Sequence, residues 1–367
     1  MHNPLLAIWG GLQRQLFPTL EDELGPLTNA DREFVETLAV FQPHLDTLLA
    51  PFAYGGIGAK PKARRALLLA FIAKPIYQFA TTTALIEALH ARPTLRRLCG
   101  FDSPQAIPDE STFSRAFGAF ATGGVPSRLH AALIHAHGQH KLVGHVSRDS
   151  TAIEARETIS QRPTPPPPPP HKRGRPRKDE HRPPPPPKRL DLQLTRSLAA
   201  NVAELPCHCD WGCKTNRQGK TAFWRGYKLH LDVGDGDIPL SAVLTAASLH
   251  DSQAAIPLAQ LTAQRVQSLY DLMDSAYDAQ PIRTMSERLG PVAIIAPNPR
   301  RGTALPLAPA RAQRFDQRTA AERVHALLKD RYGGRWVRVR GGVKVMAHLL
   351  FAVVALTASQ LLRQLVT

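Results

Sequence analysis

At 367 residues and 43% hydrophobic content, the chain can hold two cored domains and is too apolar for global disorder. Its 46 Lys and Arg against 30 Asp and Glu leave a formal charge of +16, which favours a polyanionic partner because each neutralised phosphate releases condensed counterions. Four cysteines give no disulfide framework, no secretion signal opens the chain, and the most apolar run (residues 349–358) is too short to span a bilayer; a reducing cytoplasm and no membrane are expected.

Residues 31–120 are helical in pattern, with Leu67, Leu68, Phe71, Ile72 and Ile76 recurring at spacings of three and four. The tract KPKARR at 60–65 gives this region positive charge. Asp109 follows Pro108 and can cap a helix carrying Phe113, Arg115 and Phe117. That pair of elements is similar to the second half of a helix-turn-helix; short helix pairs in structural bundles look the same. An all-helical N-terminal domain over 1–125 is expected to bind DNA.

A second domain spans 140–367. It opens with a short strand at 142–147 that ends in Arg148-Asp149-Ser150, and is then interrupted at 161–189 by two proline runs around a basic centre. Polyproline is extended and cannot pack a core, so a solvated loop, disordered without DNA, is expected. Lys172, Arg173, Arg175 and Arg177 lie in that centre. Its Arg-Gly-Arg-Pro run resembles the AT-hook, which lies in A·T minor grooves; the alternative is a non-specific phosphate-binding run. The cluster Cys207-His208-Cys209 with Cys213 departs from zinc-site spacing and reads as a loop with free thiols.

Strands return at 227–233, which alternates strictly, and at 238–245 after the turn 234–237. A helix at 252–266 follows, with Asp251 as a plausible cap. A strand at 268–273 ends on Asp274, and another covers 292–296. The stretch 315–329 is then an amphipathic helix. Arg318, Glu322, His325 and Lys329 fall at i, i+4, i+7 and i+11 on one polar stripe, opposite Ala320, Ala321, Val324, Leu327 and Leu328. One carboxylate framed by cations suits a metal-binding acid beside a phosphate backbone; an ordinary surface helix has the same layout. This element order implies an α/β domain with a mixed sheet, and several folds share it.

Three local contexts are more specific. Phe315-x2-Arg318-x3-Glu322-x6-Lys329 resembles the Tyr-x2-Arg-x3-Glu-x6-Lys signature of DDE transposases of bacterial insertion sequences. Asp274-Ser275-Ala276-Tyr277-Asp278 and Asp149-Ser150-Thr151 are similar to the contexts of that family's other two acids. Leu249 to Ser252, the tail from Val339 to His348, Tyr54-Gly55-Gly56 and Ser111 to Arg115 also look like family elements. The resemblance covers most of the chain apart from the proline-rich tract. Phe replaces the signature Tyr at 315, and the segment between Pro297 and Arg314 leaves no room for an inserted domain.

The resemblance implies an RNase H-like catalytic core. In it Asp149, Asp274 and Glu322 would be the catalytic, metal-binding carboxylates for Mg2+, with Mn2+ as a substitute. Arg318 and Lys329 would contact DNA phosphates near the scissile bond. It implies an enzyme that binds double-stranded DNA at terminal inverted repeats, cleaves a strand and joins the 3′-OH to target DNA, as a homodimer on DNA in the cytoplasm and nucleoid. The chain has no G-x-x-x-x-G-K-[ST] run, so ATP is not indicated. Two other readings stay open: a non-enzymatic DNA-binding protein derived from a transposase, and a two-metal nuclease of the same fold without strand transfer.

Overall fold

Side-chain caps start the N-terminal helices. Thr28 opens the helix Asn29–Phe41 through a reciprocal box: its hydroxyl accepts from the Asp31 N–H, and the Asp31 carboxylate accepts from the Thr28 N–H. Thr81 caps Thr82–Ala91, and Asp109 caps Glu110–Thr122 as the sequence predicts, accepting from the Thr112 N–H at 2.9 Å. The computed structural model describes residues 4–54, 63–138, 142–159, 186–215, 218–298 and 306–364. The basic centre with Lys172, Arg173, Arg175 and Arg177 lies outside the described residues, as does Lys60–Lys62 of the 60–65 tract.

The helix Arg64–Ile76 is buried on every side from Ala66 onward, because neighbours surround it. Phe71 at its centre meets Phe113 at 5.8 Å and Phe117 at 5.1 Å, and stacks on Phe351 at 5.9 Å. Phe351 belongs to the last helix, Gly342–Arg363. By length and composition that helix could cross a membrane, but 83% of its most apolar stretch is buried inside the protein. It packs against Val125–Gly138, Arg64–Ile76, Glu110–Thr122 and the sheet. One buried cluster therefore runs from the N-terminal helices through this helix to Leu229 and Leu231 of the sheet.

Among the described residues six strands form the sheet: β1 (Leu142–Glu154), β2 (Asp210–Thr215), β3 (Thr221–Gly234), β4 (Ile238–Ala246), β5 (Gln267–Met273) and β6 (Val292–Ile295). β1 is central. It pairs antiparallel with β3 and parallel with β5, and β6 adds parallel to β5. β3 is long enough to pair with β2 along its first half and β4 along its second. The changeover is at Gly226, whose φ is +154° and where an added Cβ would fall 2.0 Å from the Ile153 carbonyl oxygen, so only glycine lets β3 approach β1 there.

Three elements differ from expectation. β1 does not end after Ser147 but continues to Glu154, because β3 pairs with it as far as Gly226. β2 is not among the predicted strands; it takes in Cys213, and all four cysteines are free. The helix after β4 is Ser252–Ala263, and Asp251 makes no capping hydrogen bond to it.

Successive β1 residues face opposite sides of the sheet. Arg148 points to the side covered by Ser252–Ala263 and Gln280–Leu289 and is 1% exposed. Its Nε and Nη2 donate to the two Asp232 oxygens at 2.8 and 2.7 Å, and its Nη1 lies 3.6 Å from Asp271. Thr262 also donates to Asp232, and Ser286 to Asp271. Burial opposes the Arg148 charge, but Asp232 and Asp271 outweigh it and raise its pKa. Replacing Arg148 with Met would leave two buried carboxylates without their cation. Arg148→Met should cost on the order of 3–5 kcal/mol, read as a lower urea midpoint, and adding Asp232→Asn should recover part of the loss.

Candidate active site

Asp149 follows Arg148 and faces the other side of the sheet, where Thr319–Asp330 covers β1. The parallel ladder between β1 and β5 has its last pair at Arg148 and Met273. Asp149 and Asp274 are therefore the next residues on adjacent strands, whose axes are about 4.8 Å apart. The Asp274 side chain accepts from the Ala276 N–H at 2.9 Å, which fixes it as the cap of the turn Ser275–Tyr277. Beyond that point β1 keeps its β3 partner but has no β5 partner, which leaves the two acids at the sheet's open margin.

The Asp149 carboxyl is pushed up to about 6. Burial is the main cause and the Asp274 charge adds to it, while the Ser150 N–H, Lys214 and Arg318 act the other way. His325 Nδ1 sits 3.8 Å from Asp149 Oδ2, and burial holds that imidazole neutral by lowering its pKa to about 3. Its Nε2 is buried with no hydrogen-bond partner among the described residues. Tyr277, 1% exposed, lies close enough to feel the charges of Asp251, Asp149 and Asp274, and its buried hydroxyl has no hydrogen-bond partner.

The predicted helix at 315–329 is three pieces: Pro309–Phe315, a 3-10 turn Asp316–Arg318, and Thr319–Asp330. The Arg318 carbonyl accepts from the Ser147 hydroxyl, tying the turn to β1 just before the acids. Ala320, Ala321, Val324 and Leu328 are buried as the pattern predicts. The polar stripe is not uniformly solvated: His325 is buried, whereas the Glu322 side chain is 54% exposed. Glu322 pairs with Arg318 at 2.8 Å, since Arg318 offers it an opposite charge one turn away. Lys329 is half-buried; burial and then the nearby Arg335 charge lower its pKa.

Asp149 and Asp274 are thus brought side by side, with His325 over Asp149, while Glu322 stands one turn away on Arg318. Among the described residues no three His, Cys, Asp or Glu side chains stand as a metal-binding group. The two aspartates nonetheless suit a hard divalent cation. They are oxygen donors at one margin, and one is held above its ordinary pKa by burial and its neighbour's charge, which a cation would offset.

Sequence reasoning missed the residues behind the acids. Lys228 Nζ donates to Asp251 at 2.9 Å and to the Leu249 carbonyl at 2.8 Å, and Asp251 also bonds Ser150, next to Asp149. His230 is fully buried and meets Thr245 at 2.9 Å. The available signal was the alternation of Lys228, His230 and Asp232 with apolar residues, which reads as a half-solvated strand.

Helices followed by a mixed six-stranded α/β sheet, with Asp149 and Asp274 where the β1–β5 ladder ends, are consistent with an RNase H-like domain. The chain matches the model of the "Transposase DDE domain" over residues 148–358 and that of a "Transposase domain (DUF772)" over residues 23–118. It belongs to the DDE transposase family of insertion-sequence type, whose members act on DNA and use divalent metal ions. Neither the curated proteins nor the solved structures give a match.

The raised Asp149 pKa has a signed consequence. With a folded value of about 6 above the ordinary 3.8, the folded state binds more protons than the unfolded state between those values, so stability falls as pH rises through that window. Asp149→Asn should remove that slope and stabilise the chelator-treated protein at neutral pH, by on the order of 2–3 kcal/mol at most. Melting curves from pH 4 to 8 check this, and a pH dependence equal to wild type would contradict a buried Asp149 charge.

Proposed function

We propose that the chain cleaves DNA at the ends of its own mobile element and joins the freed 3′-OH to target DNA, with Asp149, Asp274 and Glu322 as catalytic carboxylates. The observation that carries this reading is the placement of Asp149 and Asp274 beside each other where the β1–β5 ladder ends. Water attacks the scissile phosphorus and the P–O3′ bond breaks, leaving a 3′-OH and a 5′-phosphate. The 3′ oxygen then attacks a target phosphodiester and displaces its 3′ oxygen, so bond energy is conserved and no nucleotide triphosphate is consumed.

Divalent cations, Mg2+ with Mn2+ as a substitute, supply Lewis acidity and a lowered water pKa when bound. Asp149 and Asp274 would hold them from the sheet. Glu322 joins by a side-chain rotation away from Arg318, which frees the guanidinium for a phosphate. Arg318 and Lys329 face one stripe and position the backbone near the scissile bond. The substrate is double-stranded DNA at terminal inverted repeats, and two ends brought together require a homodimer on DNA in the cytoplasm and nucleoid.

One observation favours the second reading, a non-enzymatic DNA-binding protein: Glu322 is paired with Arg318 and half exposed. Nicking of a supercoiled plasmid carrying the element ends separates the two. Wild type should nick only with Mg2+ or Mn2+, and Asp149→Asn, Asp274→Asn and Glu322→Gln should each lose nicking while still binding DNA. Wild-type nicking in Glu322→Gln would remove Glu322 from the site. Lys329→Ala should slow cleavage on the order of a hundredfold while shifting stability by only a few tenths of a kcal/mol.

Residues 161–189 are proposed from sequence to add salt-dependent affinity through Lys172, Arg173, Arg175 and Arg177. Deleting the segment should weaken DNA binding and flatten the plot of log K against log salt by about 0.9 for each B-DNA phosphate the segment neutralises. An unchanged slope would show that the segment does not touch DNA in the complex.

A further inference from the structure

Past Lys329 the chain turns back across β1 and builds a second surface. Gly334, Arg335, Trp336 and Arg338 run beside the β1 end at Glu154 to Arg156, enclosing with Lys329 a groove of about 360 Å3. Trp336 is 53% exposed on this groove, an uncommon setting for so large an apolar side chain. Arg338 lies over its ring at 5.8 Å. Four cations line the groove against one carboxylate, Glu154. Arg335 pairs with Asp330, but among the described residues Lys329, Arg156 and Arg338 have no ion pair.

A second hollow of about 490 Å3 shares Arg156 and Arg338 with the first. It adds Arg340 and Lys344 and reaches Ser114 on the capped helix Glu110–Thr122. A basic path therefore leads from the end of the Glu322 helix toward the N-terminal helices. An ordinary solvated surface spreads its cations apart and among acids. Here Lys329 is half-buried beside Arg335 and Lys214, and burial with these charges outweighs the nearby Glu154 and Asp330, so an entering phosphate would be favoured.

We propose that this groove is a nucleic-acid subsite that holds one DNA strand by its phosphates on Lys329, Arg338 and Arg156 and stacks an unpaired base on Trp336. An aromatic ring beside unpaired cations is the combination that single-stranded DNA selects, since every base has a face to stack and every nucleotide a phosphate. The subsite's place on the substrate depends on the cleavage reading given above. Glu154 is five residues along β1 from Asp149, about 16 Å, or roughly five phosphates along one B-form strand.

The test uses the full chain in chelator, with a fluorescent oligothymidylate and a blunt duplex of matched length as probes. Trp336→Ala should weaken oligothymidylate binding roughly 5- to 150-fold, Trp336→Phe should restore most of it, and the blunt duplex should bind as to wild type. Arg338→Gln should lower the salt slope for oligothymidylate by about 0.7. Oligothymidylate quenching of tryptophan fluorescence should be smaller in Trp336→Phe than in wild type. Unchanged oligothymidylate affinity in Trp336→Ala overturns the subsite, as does an equal loss on both probes, which marks a structural role. Because binding is read without metal, a chain that grips oligothymidylate through Trp336 but never nicks would sink the cleavage reading alone. Nicking by wild type with Trp336→Ala binding unaltered would sink the subsite alone.

Discussion

Arg148 is the constraint on which the catalytic half depends. Its guanidinium, buried between Asp232 of β3 and Asp271 of β5, clamps the two strands that flank β1 to β1 itself. A buried ion network of this kind adds little to stability compared with apolar packing of the same volume, but it admits very few registers. A slip of one residue would turn Arg148 to the other side of the sheet and bury a cation with no partner. The register it enforces brings Asp149 level with Asp274. Geometry at the open margin is thus set from the opposite face of the same strand.

Alternation along β1 divides labour between the two sides of the sheet. On one side, Arg148 and Ser150 enter a closed polar layer with Asp232, His230, Lys228 and Asp251, satisfied by Thr245, Thr262 and Ser286. On the other, Ser147 and Asp149 meet the turn and helix that carry Arg318, Glu322 and His325. On the first side the carboxylates are matched by cations, Asp232 and Asp271 by Arg148 and Asp251 by Lys228. The second holds the Asp149 carboxyl, raised by burial and by the Asp274 charge, against His325, and that is where chemistry can occur.

Much of this was legible in the sequence, because local rules governed it. The Asp109 cap, the helix of Arg64–Ile76, the strand ending before Asp274 and the apolar face of Thr319–Asp330 follow from periodicity and capping chemistry. What was not legible depended on partners distant in the chain. β1 runs on through Glu154 only because β3 is there to pair with it. β2 exists because the long β3 offers it an edge, and its cysteine-rich segment carries no strand pattern of its own. Lys228, His230 and Asp232 read as solvent-facing because alternation cannot tell water from a buried polar layer. The contexts of Asp149, Asp274 and Glu322 were visible, and the i,i+4 spacing of Arg318 and Glu322 already offered the ion pair that they form.

The placement of Gly342–Arg363 bears on how the chain is made. Phe351 of this helix stacks on Phe71, so the cleft among the N-terminal helices is filled by a segment that leaves the ribosome 280 residues after Phe71. Until then Arg64–Ile76 presents an unfilled apolar cleft, and closing it spans almost the whole sequence. A message cut short before codon 342 would yield a product with that cleft open, prone to aggregation and to proteases. Translation therefore has to pass this helix before the N-terminal helices are closed, which ties the persistence of the product to an intact reading frame through Arg363.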